Sequence, residues 1–382
     1  MKDSAAKPVL DDLDRLIVAA VQLDPRASWS QIGKLVGTSE TTAMRRVQRL
    51  RDSNAIIITA SPDAQLCGFG QPVLLYFSTI PGMTSGLAEL LAKRSDVRYV
   101  AQITGRSDVM CELIAPDREY LADVVMRQLP RSGHFSSSRT DVVLKRFKTR
   151  DQWSRQLLDD DSLTEKLLAI DRDTKTSYGT PRKLDTTDLR ILGILGSDGR
   201  RSYADLAAEL GVSETVVGRR VQALTASKQL TFVAMVDPVI LGFRMEAILR
   251  ARVDLRAVDA TAHAVAAFPE ARYVAATSGD SELVIDAVFR DTEASYEFVT
   301  NKLGLIPGIR DVEIDIVLES IKRDYHYPLF SRTDSADGHI DHAPATTQEP
   351  ARANDGPSSR VTTASRTLWG TSPYLSSARS FP

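Results

Sequence analysis

Thr41, Arg45, Gln48 and Arg49 recur at three- and four-residue spacing, so a helix over this stretch carries them along one face. A guanidinium on such a face can bond both major-groove acceptors of a guanine, and Arg and Gln also reach phosphate oxygens. Ser39 is the natural N-cap of this helix, and Ser39 and Thr42 complete the candidate DNA-contacting set. Arg46 falls at an angle beside the apolar side, where an ion pair with Asp14 and a phosphate contact are both open. Ser213, Thr215, Val216, Arg219, Arg220 and Gln222 repeat the pattern, with Asp188 within reach of Arg220. The bland alternative is a three-helix protein-binding module whose arginines are merely solvated. A second chemistry is suggested by Gly105, Ser107 and Asp108, and by Gly279, Ser281 and Glu282. A carboxylate beside a tight turn can hold the ammonium of an amino acid, or be an exposed edge charge. The glycines suit a two-strand turn with or without a ligand.

Other chemistries find little support. H-E-x-x-H and G-x-x-x-x-G-K-[ST] are absent, and the glycines of "GFG" at 68–70 are a lone pair. The histidines, His134, His263, His326, His339 and His342, do not cluster, so no metal and no cofactor is expected. Cys67 and Cys111 lie far apart and form no C-x-x-C, which fits a reduced cytoplasmic setting. The N-terminal "MKDSAAKPVLDDLDR" has no apolar signal region, and no apolar run approaches the roughly 20 residues of a membrane span, so no membrane partner is expected. Hydrophobic content of 43% and charge of 26% are those of a globular chain, and 382 residues suffice for two to four domains. The net charge of −2 means that any nucleic-acid contact relies on local basic patches.

The elements that must position these residues are written twice. "SETTAMRRVQRL" at 39–50 returns as "SETVVGRRVQAL" at 213–224, an offset of 174. At the same offset Leu10-Asp11 matches Leu184-Asp185, Gly68-Phe69 matches Gly242-Phe243, and Arg98-Tyr99-Val100 matches Arg272-Tyr273-Val274. In each copy the first part reads as three helices. Leu13, Ile17, Ala20 and Val21 mark the first, Ser28 caps the second, Gly37 stands in the turn, and Ala43, Val47 and Leu50 line the third. This is a helix-turn-helix. The stretch "AIIITASPDAQLCGFG" reads as strand, turn, strand, a possible wing. Next come a strand over 72–80, a helix over 85–94, strands "VRYVAQIT" and "VMCELIA", a helix capped by Asp117, and a strand through Val142–Phe147. The order β-α-β-β-α-β is ferredoxin-like. "VEIDIVLESI" at 312–321 alternates cleanly in the second copy. A sheet with helices on one face leaves the other uncovered, which predicts pairing with another copy. The expected class is α+β: two tandem units, each a winged helix-turn-helix and a ferredoxin-like domain, then a disordered tail.

A helix-turn-helix joined to a ferredoxin-like domain resembles the leucine-responsive/AsnC family of bacterial transcription regulators. The resemblance rests on Leu10-Asp11-x-x-Asp14, Gly37-x-Ser39, Arg45-Arg46-Val47-x-x-Leu50, Asp63 through Gly68 and Gly105-x-Ser107-Asp108, and on their second-copy counterparts. It spans about 310 residues. It implies a regulator that binds double-stranded DNA through the helices and senses a small molecule, typically an amino acid, near the hairpin glycines. The family usually carries one unit per chain, so the duplication is a departure. The sirohaem decarboxylases share the tandem fold, but their sheet strand carries a catalytic His within a His-Asn-Tyr-x-Arg-like run; here the strands read "YVAQITGRSD" and "YVAATSGDSE". An architectural chromosome protein without effector control is the other rival.

The expected boundaries are an arm at 1–8, helix-turn-helix domains at 9–69 and 183–243, ferredoxin-like domains at 70–150 and 244–327, a linker at 151–182 with a capping box from Ser162 to Glu165, and a disordered tail at 328–382. Two sheet faces in one chain predict an intrachain pseudo-dimer, further homo-oligomers, and a cytoplasmic, nucleoid-associated protein. Arg49 is replaced by Ala223, and Val216 and Gly218 replace Thr42 and Met44, which predicts a weaker second reading head.

Overall fold

A computed structural model describes residues 9–150 and 182–323. The N-terminal arm, the capping box at 162–165 and the tail lie outside the described residues. Helix α1 (Asp12–Leu23) starts on a reciprocal cap, in which the Asp11 carboxylate accepts from the Asp14 N–H and the Asp14 carboxylate accepts from that of Asp11. Helix α2 (Trp29–Val36) begins at Ser28 and ends at Gly37, whose φ of 72° is easily adopted only by glycine. Helix α3 (Glu40–Asp52) is capped by Ser39. Ile17, Val21, Ile32, Ala43, Val47 and Leu50 close the core between them. The second copy repeats this in α6 (Thr186–Ser197), α7 (Tyr203–Leu210) and α8 (Glu214–Ala226); α4 and α5 belong to the first sheet domain below.

The expected wing is not a hairpin. Residues after Ala55 form one strand, β1 (Ile56–Pro62), and then turns through Gly70. Its partner comes from the other copy. β1 pairs antiparallel with β6 (Leu230–Val236), running from Ile56 opposite Val236 to Pro62 opposite Leu230. A strand with a single partner and a mostly buried face was satisfied by its duplicate, not by its own continuation.

Each sheet domain follows the expected order. The first has β2 (Gln71–Thr79), α4 (Thr84–Ala92), β3 (Val97–Ile103), β4 (Val109–Ala115), α5 (Arg118–Asp123) and β5 (Phe135–Lys148). The second has β7 (Met245–Val253), α9 (Val258–Ala266), β8 (Ala271–Thr277), β9 (Leu283–Phe289), α10 (Thr292–Glu297) and β10 (Ile309–Arg323). The last strands are longer than the apolar pattern suggests, because each serves two sheets. β5 pairs with β2 up to Val142 and with β8 from Val143 onward; β10 pairs with β7 up to Ile316 and with β3 from Val317 onward. The eight strands thereby close into a barrel. Helices cover its outside, as where Leu87 and Leu91 pack on Leu75 and Val100. Leu74, Tyr76, Tyr99, Ile248, Tyr273 and Val284 fill the inside. The uncovered sheet faces of the two copies are thus buried against each other.

Candidate nucleic-acid interface and effector pocket

Helix α3 presents its polar face to solvent because Ala43, Val47 and Leu50 are committed to the core. Thr41, Met44, Arg45, Gln48 and Arg49 are exposed, and Thr42 is half-buried. Ser39 Oγ accepts from the Thr42 N–H at 3.2 Å and donates to Thr42 Oγ1 at 2.9 Å, so both hydroxyls are tied to the helix start. Gln48 donates to Asp52 one turn on, at 2.7 Å. Arg45 makes no ion pair among the described residues; its guanidinium stands free on the face opposite the core.

Arg46 and Arg49 are employed differently. Arg46 bonds Asp11 and, at 3.0 Å, Asp14, so of the two open roles the ion pair is the one formed. Arg49 also reaches Asp14, although half of its side chain is exposed. A helical wheel gives an angle but not a reach, and the long Arg49 side chain folds back to a carboxylate with 1% exposure. Arg46 and the Asp14 N–H together hold the Asp11 carboxyl down at about 2. In the second copy Arg220 bonds Asp185 and Asp188 at 2.7 and 2.9 Å, and lowers the Asp185 pKa in the same way. Where Arg49 has become Ala223, Arg182 supplies the second guanidinium to the buried Asp188, at 2.5 and 2.6 Å. The loss of Arg49 therefore moves an internal bond to another residue, which removes one reason for expecting a weaker second head. Thr215, Arg219 and Gln222 are exposed on α8, Val216 is half-buried, and Ser213 caps the helix. Arg219, like Arg45, has no ion pair among the described residues.

The two heads are locked to each other by residues the sequence reading missed. Arg26 donates to the carbonyl oxygens of Gly199 and Arg201 and lies 4.7 Å over the Tyr203 ring. Its counterpart Arg200 donates to those of Pro25 and Ala27 and lies 3.7 Å over Trp29. Burial, and then the nearby Arg26, pull the Arg200 pKa down to about 10, so it stays charged at neutral pH. The signal available in sequence was an arginine two residues before each Ser cap of α2 and α7, at the same offset as everything else.

At the hairpins, the carboxylates close turns. Asp108 accepts from the Thr79 N–H at 2.6 Å and from its hydroxyl at 3.0 Å. Glu282 accepts from the N–H of Val253, the Thr79 counterpart, at 2.7 Å. Ser107 and Ser281 are buried. Gly105 has a φ of 99°, whereas Gly279 is not at positive φ. What both share is crowding: a Cβ on Gly105 would lie 2.0 Å from Asp315 Oδ1, and one on Gly279 2.2 Å from Asp141 Oδ1. The hairpin glycines thus admit a carboxylate from the other unit.

A depression of about 720 Å³ lies beside Glu282, walled by Val253 to Ala257, Pro307, Gly308 and Arg310. Arg310 pairs with Asp254 on its rim. The first-unit counterparts of Asp254, Arg256 and Arg310 are Ile80, Gly82 and Ser136, so the charged version belongs to the second unit. A second cavity, of about 630 Å³, opens between the β1–β6 pair and the barrel. Its lining holds Arg98, Lys145, Arg146, Arg150 and Lys228 against Asp63 and Glu112, so cations prevail there, although Arg98 faces Glu112, Arg146 pairs with Asp63 and Arg150 reaches Asp286 behind the wall.

The Lrp/AsnC ligand binding domain matches residues 78–153 and 246–327, and the AsnC-type helix-turn-helix domain matches 10–51 and 184–225. The HTH-type transcriptional regulator Ptr1 of Methanocaldococcus jannaschii is 31% identical over 147 residues, 38% of this chain and 99% of that protein. The chain belongs to the Lrp/AsnC family of transcriptional regulators. It is a DNA-binding transcriptional regulator with two ligand-binding domains, which agrees with the resemblance read from its motifs. The Bkd operon transcriptional regulator of Pseudomonas aeruginosa is 29% identical over 143 residues, 36% of this chain and 94% of that protein. Each such relative covers little more than a third of this Lrp/AsnC chain, one unit's worth. The siroheme decarboxylase NirDL crystal structure matches 84% of this chain and 96% of its own, with a TM-score of 0.59 at 15% identity, and so shares the tandem fold. No helix among the described residues is long and apolar enough to cross a membrane.

Proposed function

We propose that this regulator reads the major groove through Thr41, Arg45 and Gln48 of α3 and through Thr215, Arg219 and Gln222 of α8. Ser39, Thr42, Ser213 and Val216 lie at the ends of α3 and α8 that approach the DNA, and Arg46, Arg49 and Arg220 orient the helices through their carboxylate pairs. The observation that carries this reading is the pair of guanidiniums, Arg45 and Arg219, that make no ion pair among the described residues and stand at equivalent positions on the exposed faces. Genome-wide mapping of bound sites tests it. The double variant Arg45→Ala/Arg219→Ala should lose the sites of the unaltered protein while remaining folded; an unchanged map would remove both helices from the reading role.

The effector, in our reading an amino acid, sits in the charged depression of the second unit. Arg256 suits its carboxylate, and the rim pair of Arg310 and Asp254 would open to take its carboxylate and ammonium in exchange for each other. Glu282 and Asp108 support the turns rather than bind directly. A thermal-shift screen of the common amino acids should find one that raises the melting temperature, since a ligand of the native state stabilises it. Arg256→Ala should erase that shift, whereas Asp108→Ala should keep it. The absence of any shift, with DNA affinity unchanged by every amino acid, would favour the architectural alternative.

Decarboxylase activity is not part of the proposal, because the strands that carry the tetrapyrrole-acting His in that enzyme class read VRYVAQI and ARYVAAT here. The domain boundaries given above, a cytoplasmic location and association of pseudo-dimers into larger assemblies complete the reading. Light scattering of the full chain checks the last.

A further inference from the structure

The two sheet domains meet about a pseudo-two-fold axis. Lys148 donates to the Phe268 carbonyl at 3.0 Å and Lys322 to that of Arg94 at 2.8 Å; the Thr104 N–H bonds Ile316 and the Ser278 N–H bonds Val142. Every member of these pairs has its counterpart at the repeat offset, so the backbone contacts would serve any combination of units. The side chains at the seam would not. The tip of the first hairpin places Arg106 3.0 Å from Glu313 of β10, while the tip of the second places Asp280 3.9 Å from Arg139 of β5. These are equivalent contacts with the charges exchanged. Nearer the axis, Arg250 lies 5.2 Å over the ring of Tyr76, its own counterpart, and both are buried.

Pairing a unit with its own kind reverses this complementarity. Two first units would set Arg106 against Arg139 at both tips, with Tyr76 against Tyr76. Two second units would set Asp280 against Glu313 at both tips and bring two Arg250 side chains face to face. The tips are largely exposed, with Arg106 at 69% and Asp280 at 71%, so solvent screens them. Solvent reaches less far in, where Arg250 is 1% exposed, takes Asp315 and Glu313 of its own unit at 3.0 Å, and meets the Tyr76 ring across the seam; in a pair of second units another arginine would stand in that ring's place. Asp315 and its counterpart Asp141 are themselves pressed against Gly105 and Gly279 of the opposite unit.

We propose that the seam is a charge-matched recognition surface, on which a first-unit face accepts a second-unit face and rejects another first unit. The partner is the second unit of the same chain or, by exchange, of another copy. Each pair then presents one α3 and one α8, never two of either.

The test uses the full chain with a protease site inserted within residues 151–181, cut after folding. Mixing such protein with an isotope-labelled batch and diluting it allows halves to exchange before native mass spectrometry. Only mixed pairs, one first half with one second half, should reassemble. First-with-first and second-with-second pairs at statistical abundance would overturn the proposal. In the uncut chain, Glu313→Arg sets an arginine against Arg106 at one tip and also removes the 3.0 Å bond to Arg250, so it should lower the urea midpoint; adding Arg106→Asp should recover the tip's share of that loss and leave the Arg250 share. Should Glu313→Arg alone fail to fold, folding of the double variant is itself the rescue. Arg106→Asp alone, at an exposed tip, should lose stability at low salt and regain it near 1 M. Additive losses without rescue, or an Arg106→Asp chain indifferent to salt, would each overturn the charge-matching argument.

Discussion

Replacing Arg45 and Arg46 one at a time separates reading from holding. They are neighbours on α3, yet Arg45 meets solvent without an ion pair, while Arg46 bonds Asp11 and the buried Asp14. Arg45→Ala removes no internal bond, and exposed substitutions of this kind change stability by about 0.5 kcal/mol or less. Its loss on operator DNA should be ~1–3 kcal/mol, which is roughly 5- to 150-fold in affinity. Arg46→Ala removes charge-assisted bonds to Asp14 while Arg49 still covers that carboxylate, so the cost to folding is about 1.5–3 kcal/mol. Arg46→Ala/Arg49→Ala leaves Asp14 buried beside no cation, and the cost should rise to about 3–5 kcal/mol. Urea unfolding followed by circular dichroism measures the second quantity. Anisotropy titration of a labelled operator, at one fixed ionic strength because phosphate contacts are salt-dependent, measures the first. An Arg45→Ala protein that loses stability but not affinity, or an Arg46→Ala protein as stable as its parent, would refute the division of roles.

Arg219→Ala should weaken binding to the same operator less than Arg45→Ala, because Gly218 inside α8 costs that helix ~1 kcal/mol relative to Ala and Val216 offers no hydrogen bond; equal losses would show two equal readers. Asp11, held at about 2, and Asp185, lowered likewise, titrate below the ordinary value of about 4. Their pairs therefore stabilise the fold fully above about pH 4, and the contribution drains away as pH falls toward 2. Asp11→Asn/Asp185→Asn should flatten the acid limb of a urea-midpoint profile, and an unaltered limb would contradict the linkage. Burial, and then the charge of Asp63, push the Cys67 thiol up to about 12, and burial raises that of Cys111. Both should react slowly with maleimide at pH 8 until urea is added; rapid native labelling of Cys67 would go against this. Arg200→Ala loses two carbonyl contacts and the stack on Trp29, so amide exchange along β1 and β6 should accelerate, and unchanged protection would count against the lock.

The helical heads were legible because their boundaries are set by local chemistry: Asp11 with Asp14, Ser28, Gly37 and Ser39 each act within four residues of where they stand. The order of the sheet domains was legible for the same reason, through alternation and turn residues. What escaped depends on the other copy. Ile56–Pro62 looks like half of a hairpin until its partner is known to be Leu230–Val236. The start of β5, "FSSSRT", has no apolar alternation and is half-exposed, yet it pairs with β2 through a bulge at Ser136. Asp108 follows a hairpin glycine as its spacing shows, but no sequence signal reveals that its carboxylate accepts from the Thr79 N–H. Arg49 was placed on the right face, but its length lets it reach around the helix to Asp14.

Strand sharing also sets a clock on synthesis. A ribosome adds roughly 5–20 residues per second, and the partner of β1 is encoded roughly 170 residues downstream. The first unit thus leaves the tunnel with β1 and the far half of β5 unpaired for on the order of ten seconds or more. Bare strand edges are the usual templates for misassembly, and neighbouring ribosomes on one message display the same edges side by side. The chain seals itself only when the last strand, β10, arrives to close the barrel.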